Sequence, residues 1–243
     1  FDETVPGFIW SVVRPGVPAA QILNPLGDAG GDGAPSVVLH PLTGFPEAVW
    51  SSWDGQDHEI VWSRWNGAAW TTPLPLSQNT LQDLDPRLWI DAAGNRRIAW
   101  WRSGGPFDEV VIRILPPGET QWWMAYRLSP GDRHARHPDI RTTSWGTFVL
   151  AEEENGSGLA AAVYECQALD GETPQRESEP WGRKLLQVVA GTASLEPELT
   201  MAPTQYGLVP AATWREGLMM AISLYDIEAL QWADPVLIPY PEW

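Results

Sequence analysis

The chain has almost no cysteine, lysine or histidine. Of its 243 residues one is Cys (Cys166), one is Lys (Lys184) and four are His. A single thiol excludes an intrachain disulfide, and Cys166, inside the apolar run AAAVYECQAL, reads as a small core residue. With Lys184 alone, the other fourteen bases are Arg, and 31 acids leave a net charge of −16. That balance excludes nucleic acid as a partner, because a basic surface is needed to displace phosphate counterions. No run approaches the ~18 apolar residues of a membrane span, so no membrane insertion is expected. Helical periodicity is missing throughout. Phosphate-binding loops, dinucleotide fingerprints, nucleophile elbows and HExxH zinc motifs are missing too, which withdraws support from kinase, oxidoreductase and common hydrolase readings.

What the chain does have is tryptophan, sixteen of them, within a 44% apolar composition. Trp suits the half-buried faces of twisted sheets. It also has a degenerate repeat. Four segments share a Pro, an alternating apolar stretch, a Gly turn and a second apolar stretch: APSVVLHPLTGFPEAVW, DPRLWIDAAGNRRIAWW, HPDIRTTSWGTFVLAEE and EPELTMAPTQYGLVPAA. The anchors Pro35, Pro86, Pro138 and Pro197 lie 51, 52 and 59 residues apart. Each copy carries two further strand candidates, and the third holds a polar insertion, QALDGETPQRESEP, read as an extended surface hairpin. Solenoid coils are much shorter than ~50 residues, so four strands per repeat predict the blades of an all-β propeller.

The segment before Pro35 aligns only with the second half of a repeat. Phe8–Leu26 is therefore expected to supply the third and fourth strands of a blade lacking its first two. The prediction is a single domain, 1–243, forming a five-bladed ring. It comprises a half blade over 1–33 and full blades over 34–84, 85–136, 137–195 and 196–243. An assembly partner completing the half blade is one expectation that follows, because an open edge templates pairing.

In the first full copy the turn between third and fourth strands reads SRWNGAAW, with Ser63, Asn66, Gly67 and Trp70. This resembles the Asp-box, S-x-D-x-G-x-x-W, of sialidase-like (BNR-type) bacterial propellers, with Trp65 at the Asp position and Asn66 just after it. Ser223, Asp226 and Trp232 form a weaker copy, as do Ser11 with Gly16. The resemblance implies a propeller in which this hairpin is structural. Sialidases act through an Arg triad, a Tyr–Glu pair and an Asp acid/base. None of these matches a position here, so the resemblance implies a non-catalytic relative. Glu152, Glu153 and Glu154 cannot all face one site, since strand neighbours alternate. The run is expected to end the second strand of its copy in a solvated acidic turn, EEENGSG.

Candidate binding residues come from two patterns. The Trp pairs Trp50/Trp53, Trp62/Trp65, Trp100/Trp101 and Trp122/Trp123 each put rings on opposite faces of a strand. One ring packs between blades, and the other either does the same or meets a surface or partner, which nominates Trp53, Trp65 and Trp101. DRHARHPD holds Arg133, His134, Arg136 and His137, read as an anion- or sugar-contacting loop or, with Asp132 and Asp139, as a His-x-x-His metal pair. Connections preceding the anchors are acidic (Asp83 and Asp85, Asp132, Glu196) and are expected to meet near the channel. Ca²⁺ there, or at the loop DAGGDG, nominates Asp28, Asp32 and Asp85 as ligands; otherwise these groups are solvated and no cofactor is needed.

The chain opens at Phe1 rather than Met, which leads us to expect a processed or excised product in a secreted, periplasmic or bacterial cell-surface setting. The expected function is a non-catalytic binding or scaffolding module for a glycan or a protein partner. The alternatives are a sialidase-type glycoside hydrolase and a structural subunit of a larger complex.

Overall fold

The computed structural model describes residues 9–10, 21–23, 31–154, 158–167, 181–186, 194–205 and 207–239. All the described elements are strands. A short antiparallel pair, β1 (Ile9–Trp10) and β2 (Gln21–Ile22), comes first. Three four-stranded antiparallel meanders follow: β3–β6 (Asp32–Leu39, Pro46–Trp53, His58–Arg64, Leu74–Pro75), β7–β10 (Gln82–Ile90, Arg96–Ser103, Glu109–Leu115, Tyr126–Arg127) and β11–β14 (Ala135–Thr143, Gly146–Glu154, Leu159–Gln167, Gly182–Leu185). The last sheet has five strands: β15 (Ser194–Thr204), β16 (Gly207–Glu216), β17 (Met219–Asp226), β18 (Gln231–Trp232) and β19 (Val236–Pro239).

The expected strand order holds, with two differences. The fourth strands are far shorter than their apolar runs suggest, two residues each in the first two blades. In the first blade Pro73 and Pro75 remove backbone donors and stop the ladder. In the last blade, the segment expected as one fourth strand breaks into β18 and β19, which pair with opposite ends of β17. The insertion from Ala168 to Pro180, Asp28, and the weak hairpin copy at Ser11 and Gly16 lie outside the described residues.

Strand alternation sends successive side chains into two different blade interfaces. Val49, Ile60 and Trp62 pack against Leu88, Ile98 and Trp100 of the second blade. From that blade's other face Ala99, Val110 and Ile112 meet Ile140, Val149 and Tyr164 of the third. Its far face in turn lays Phe148, Leu150 and Val163 on Leu199, Trp214, Tyr225 and Trp232 of the fourth. On the first blade's free face Leu23, just after β2, packs on Ala48, Trp50 and Val61. On the fourth blade's free face Leu224 and Ile238 are 37% and 40% exposed. Four full blades and one strand pair, stacked in chain order, are the arrangement of a five-bladed propeller.

The Trp pairs divide as the alternation dictates. Trp50, Trp62, Trp100 and Trp122 are buried between blades, while Trp53, Trp65, Trp101 and Trp123 are only partly covered. Three buried indoles donate Nε1–H to carboxylates: Trp62 to Glu47 (3.0 Å), Trp100 to Asp83 (2.7 Å) and Trp214 to Glu216 (2.9 Å). A buried donor left unpaired would cost about 1–3 kcal/mol, so the acids between blades belong to the core. Two outer hairpins share one geometry. Ser63 Oγ donates to Thr71 O, and Ser223 Oγ to Ala233 O, both at 2.7 Å. Asn66 Oδ1 and Asp226 Oδ1 each accept two turn N–H groups at 2.9 and 3.0 Å. Asn66, one residue later than the motif prescribes, thus takes the part of an aspartate.

Candidate functional site

The inner strands all carry the same irregularity. In each, the residue before the anchor proline has a positive φ: Ala34 (48°), Asp85 (51°), His137 (51°) and Glu196 (55°). The ladder to the second strand slips at the same four places, between Gly33 and Ser36, Leu84 and Arg87, Arg136 and Asp139, and Leu195 and Glu198. Proline has no N–H to give the ladder, so a bulge is where a strand tolerates it. A non-Gly residue at positive φ costs on the order of 1–2 kcal/mol. That cost is held at the same place in all four inner strands.

Three of those residues, Asp85, His137 and Glu196, line a cavity of about 640 Å³ between the inner strands β3, β7, β11 and β15. His137 Nδ1 lies 3.2 Å from Asp85 Oδ2, and its Nε2 4.0 Å from Glu152 Oε2. The other oxygen of Glu152 accepts the backbone N–H of Glu196 at 2.9 Å. The imidazole is thus held between two carboxylates from neighbouring blades. Its pKa is raised above the ordinary 6.5, chiefly by the hydrogen bond to Asp85 and then by the charge of Glu152, against burial and Arg136. Trp101 flanks the ring, centroids 5.6 Å apart, and Arg136 lies over Trp101 at 5.8 Å. Also lining the cavity, Arg141 stacks over Trp89 at 5.0 Å.

The cavity is acidic. Five carboxylates line it (Asp85, Asp139, Glu152, Glu196 and Glu198) against two guanidiniums, Arg87 and Arg141. Both guanidiniums are already paired, Arg87 with Asp85 at 3.0 Å and Arg141 with Asp139 at 2.9 Å.

The sequence-nominated residues separate into groups. Asp85 and His137 line the cavity, Trp101 flanks the His137 ring, and Arg136 lies over Trp101. His134 does not join His137. Its Nδ1 lies 3.0 Å from Asp108 Oδ2, and Asp108 also binds Arg136, so the two imidazoles contact carboxylates of different segments. Arg133 pairs with Asp132 at 2.8 Å and lies 3.7 Å from Glu153. Trp53 stands edge-on to His58 at 5.2 Å, and Trp65 to Trp70 at 6.1 Å, each within the first blade's own hairpins. Asp32 opens β3 opposite Ser52, and Asp28 lies outside the described residues. Of the acidic connections, Asp83 is buried against Arg102, Trp100 and Asn79, away from solvent.

The solvated turn expected at Glu152–Glu154 is corrected by the structure. Glu152 and Glu153 are buried and only Glu154 is exposed. Glu152 belongs to the cavity, and Glu153 accepts hydrogen bonds from Tyr164 (2.6 Å) and Arg183 (2.8 Å). Their partners lie up to 44 residues away, so no local pattern announces them.

No protein-family model matches the sequence, and no curated protein matches it. Solved structures do match. A protein of unknown function from Dyadobacter fermentans superposes with a TM-score of 0.62 at 10% identity, over 93% of this chain and 68% of that one. A leech intramolecular trans-sialidase, solved with 2,7-anhydro-Neu5Ac, superposes with a TM-score of 0.58 at 10% identity, over 85% of this chain and 51% of that one. The fold is a β-propeller, as in these two structures. The chain spans about half the length of the trans-sialidase chain it matches, and at this identity the likeness extends to the fold alone.

Proposed function

We propose that the propeller binds an uncharged glycan in the cavity between its inner strands, without cleaving it. The observation that carries this reading is the fourfold strained bulge that brings Asp85 and His137 together beside Glu152, with Trp89 in the same cavity and Trp101 on its flank. Oriented acceptors and a charged donor beside aromatic faces are what a sugar needs, hydroxyls to bond and C–H faces to stack. Five carboxylates against two already paired guanidiniums disfavour an acidic sugar, in contrast to the sialic acid derivative held by the leech enzyme.

Hydrolysis is the second reading, favoured by the carboxylates of the cleft, of which Asp85 and Glu152 flank His137. A glycosidase places the scissile bond between its pair. Here His137 stands between Asp85 and Glu152, where that bond would have to lie, which supports binding over cleavage. The test is calorimetric titration with a panel of neutral oligosaccharides (cello-, xylo-, manno- and arabino-series), with sialyllactose as control, alongside turnover of the matching aryl glycosides. Binding of a neutral member that Trp101→Ala and His137→Ala weaken, with no turnover, is expected. Turnover abolished by Asp85→Asn or Glu152→Gln would replace this reading with the hydrolase.

A further inference from the structure

A second constellation lies at the turn between β4 and β5, in the segment DGQDHE. Asp54, Asp57 and Glu59 each present a carboxylate oxygen, and the three atoms all lie within 4.8 Å of one another. Asp57 and Glu59 are each only 3% exposed. Both oxygens of Asp57 are buried with no hydrogen-bond partner. Among the described residues none of the three pairs with an Arg or Lys; Arg102, on the neighbouring blade, binds Asp83 instead.

The rest of the turn is well satisfied, which isolates the anomaly. Asp54 Oδ1 accepts the N–H groups of Gln56 and Asp57 at 2.8 and 3.1 Å. Glu59 Oε1 accepts the N–H of Asn79 at 2.6 Å. The turn accounts for Asp54 and the distant Asn79 for Glu59, but among the described residues nothing accounts for Asp57. Burying an ionised carboxylate with no hydrogen bond and no Arg or Lys beside it is among the costlier arrangements a fold can hold. Two oxygens on opposite sides of a calcium ion, each ~2.4 Å from it, stand ~4.8 Å apart. An all-oxygen set with no His or Cys suits a hard cation and not a transition metal.

We propose that Asp54, Asp57 and Glu59 bind a calcium ion, with Asp57 as the buried anchor. This site is separate from the inner-strand cavity and independent of the glycan reading. It shares none of its residues with Asp28, Asp32 or Asp85, the ligands nominated from the sequence. Water and main-chain carbonyls complete the shell, as calcium takes roughly 6–8 oxygens.

The test uses the whole chain after chelator treatment and dialysis. It combines calorimetric titration with CaCl₂, terbium luminescence sensitised by the adjacent Trp53, and melting with and without Ca²⁺. One ion per chain, a raised melting temperature and terbium emission displaced by Ca²⁺ are expected. Asp57→Asn should weaken Ca²⁺ binding at least about tenfold, since ligand charge sets affinity. Without Ca²⁺ that variant should melt no lower than the parent, because it relieves a buried charge. Asp132→Asn, exposed and paired with Arg133, should bind as the parent does. Should Asp57→Asn fail to fold, Asp54→Asn keeps the oxygen that holds the turn and must show the same loss. No binding at about 10 mM Ca²⁺, above even millimolar extracellular sites, overturns the proposal, as does binding unchanged in these two variants.

Discussion

His137 Nδ1 and Asp85 Oδ2 meet at 3.2 Å across 52 residues, one full repeat apart, each residue in the same left-handed position of its own inner strand. Facing groups are Asp85 from β7, Glu152 from β12 and Arg136 from β11 itself. The folded His137 pKa is raised, so the contact contributes stability that is fully present below the unfolded value near 6.5. It is lost as pH rises through the folded value. Asp85→Asn should remove that stretch of the pH–stability curve. A variant curve parallel to the parent's through and above neutral pH would contradict the assignment.

Asp139 clasps two blades. Its Oδ1 accepts the N–H of Ile140 at 2.9 Å, and its Oδ2 that of Leu199 in the fourth blade at 2.8 Å. Ser36 Oγ takes the N–H of Leu88 at 3.1 Å in the equivalent place between the first and second blades. Asp139→Ala strands two buried donors and Arg141, and is expected to cost about 3–5 kcal/mol in urea unfolding. Ser36→Ala strands one and should cost about 1–2 kcal/mol. Equal losses would count against a clasp role for Asp139.

Glu47 is buried between the first and second blades, bonded to Arg96 at 2.6 and 2.7 Å and to the Trp62 indole. Glu47→Ala leaves a buried guanidinium unpaired, and about 3–5 kcal/mol of destabilisation is expected. Adding Arg96→Met removes the orphaned charge and should recover most of that loss. Additive losses in the double mutant would show that the two side chains act separately.

Asn66 stands in for an aspartate in its hairpin. Asn66→Asp should therefore leave the melting temperature nearly unchanged, while Asn66→Ala loses two turn hydrogen bonds and about 1 kcal/mol. A large loss in the Asp variant would show that the amide, not the shared carbonyl oxygen, holds the turn.

The architecture was legible because its punctuation is local. Pro35, Pro86, Pro138 and Pro197, with glycines in the turns, carry backbone requirements that a repeat must keep. Even the half blade followed from strand counting, and β1 and β2 pair as that count requires. The site was only half legible. Asp85 and His137 stood out as an acidic connection and a histidine pair. Their convergence depends on a positive φ at the bulge before each anchor proline and on the packing of two blades 52 residues apart. Grouping His134 with His137 by proximity failed because Asp108, 26 residues before His134, holds the first imidazole. Glu152 and Glu153 looked solvated beside a Gly-bearing turn, since their partners arrive from distant strands. Residues 54–57 form the turn between β4 and β5, and Glu59 lies at the start of β5. The burial of Asp57 and Glu59 distinguishes this segment from a solvated turn.

With four histidines, imidazole NMR of ¹⁵N-His-labelled protein tests the cavity most directly. Burial and then Arg96 push His40 below the ordinary value, while Asp85 and Glu152 push His137 above it, which separates the two in a pH titration. Titration with the neutral oligosaccharide panel should shift His137 saturably, leave His40 in place, and show no such response to sialyllactose. If no neutral sugar moves His137, or sialyllactose moves it equally, the account of the cavity as an uncharged-glycan site is wrong.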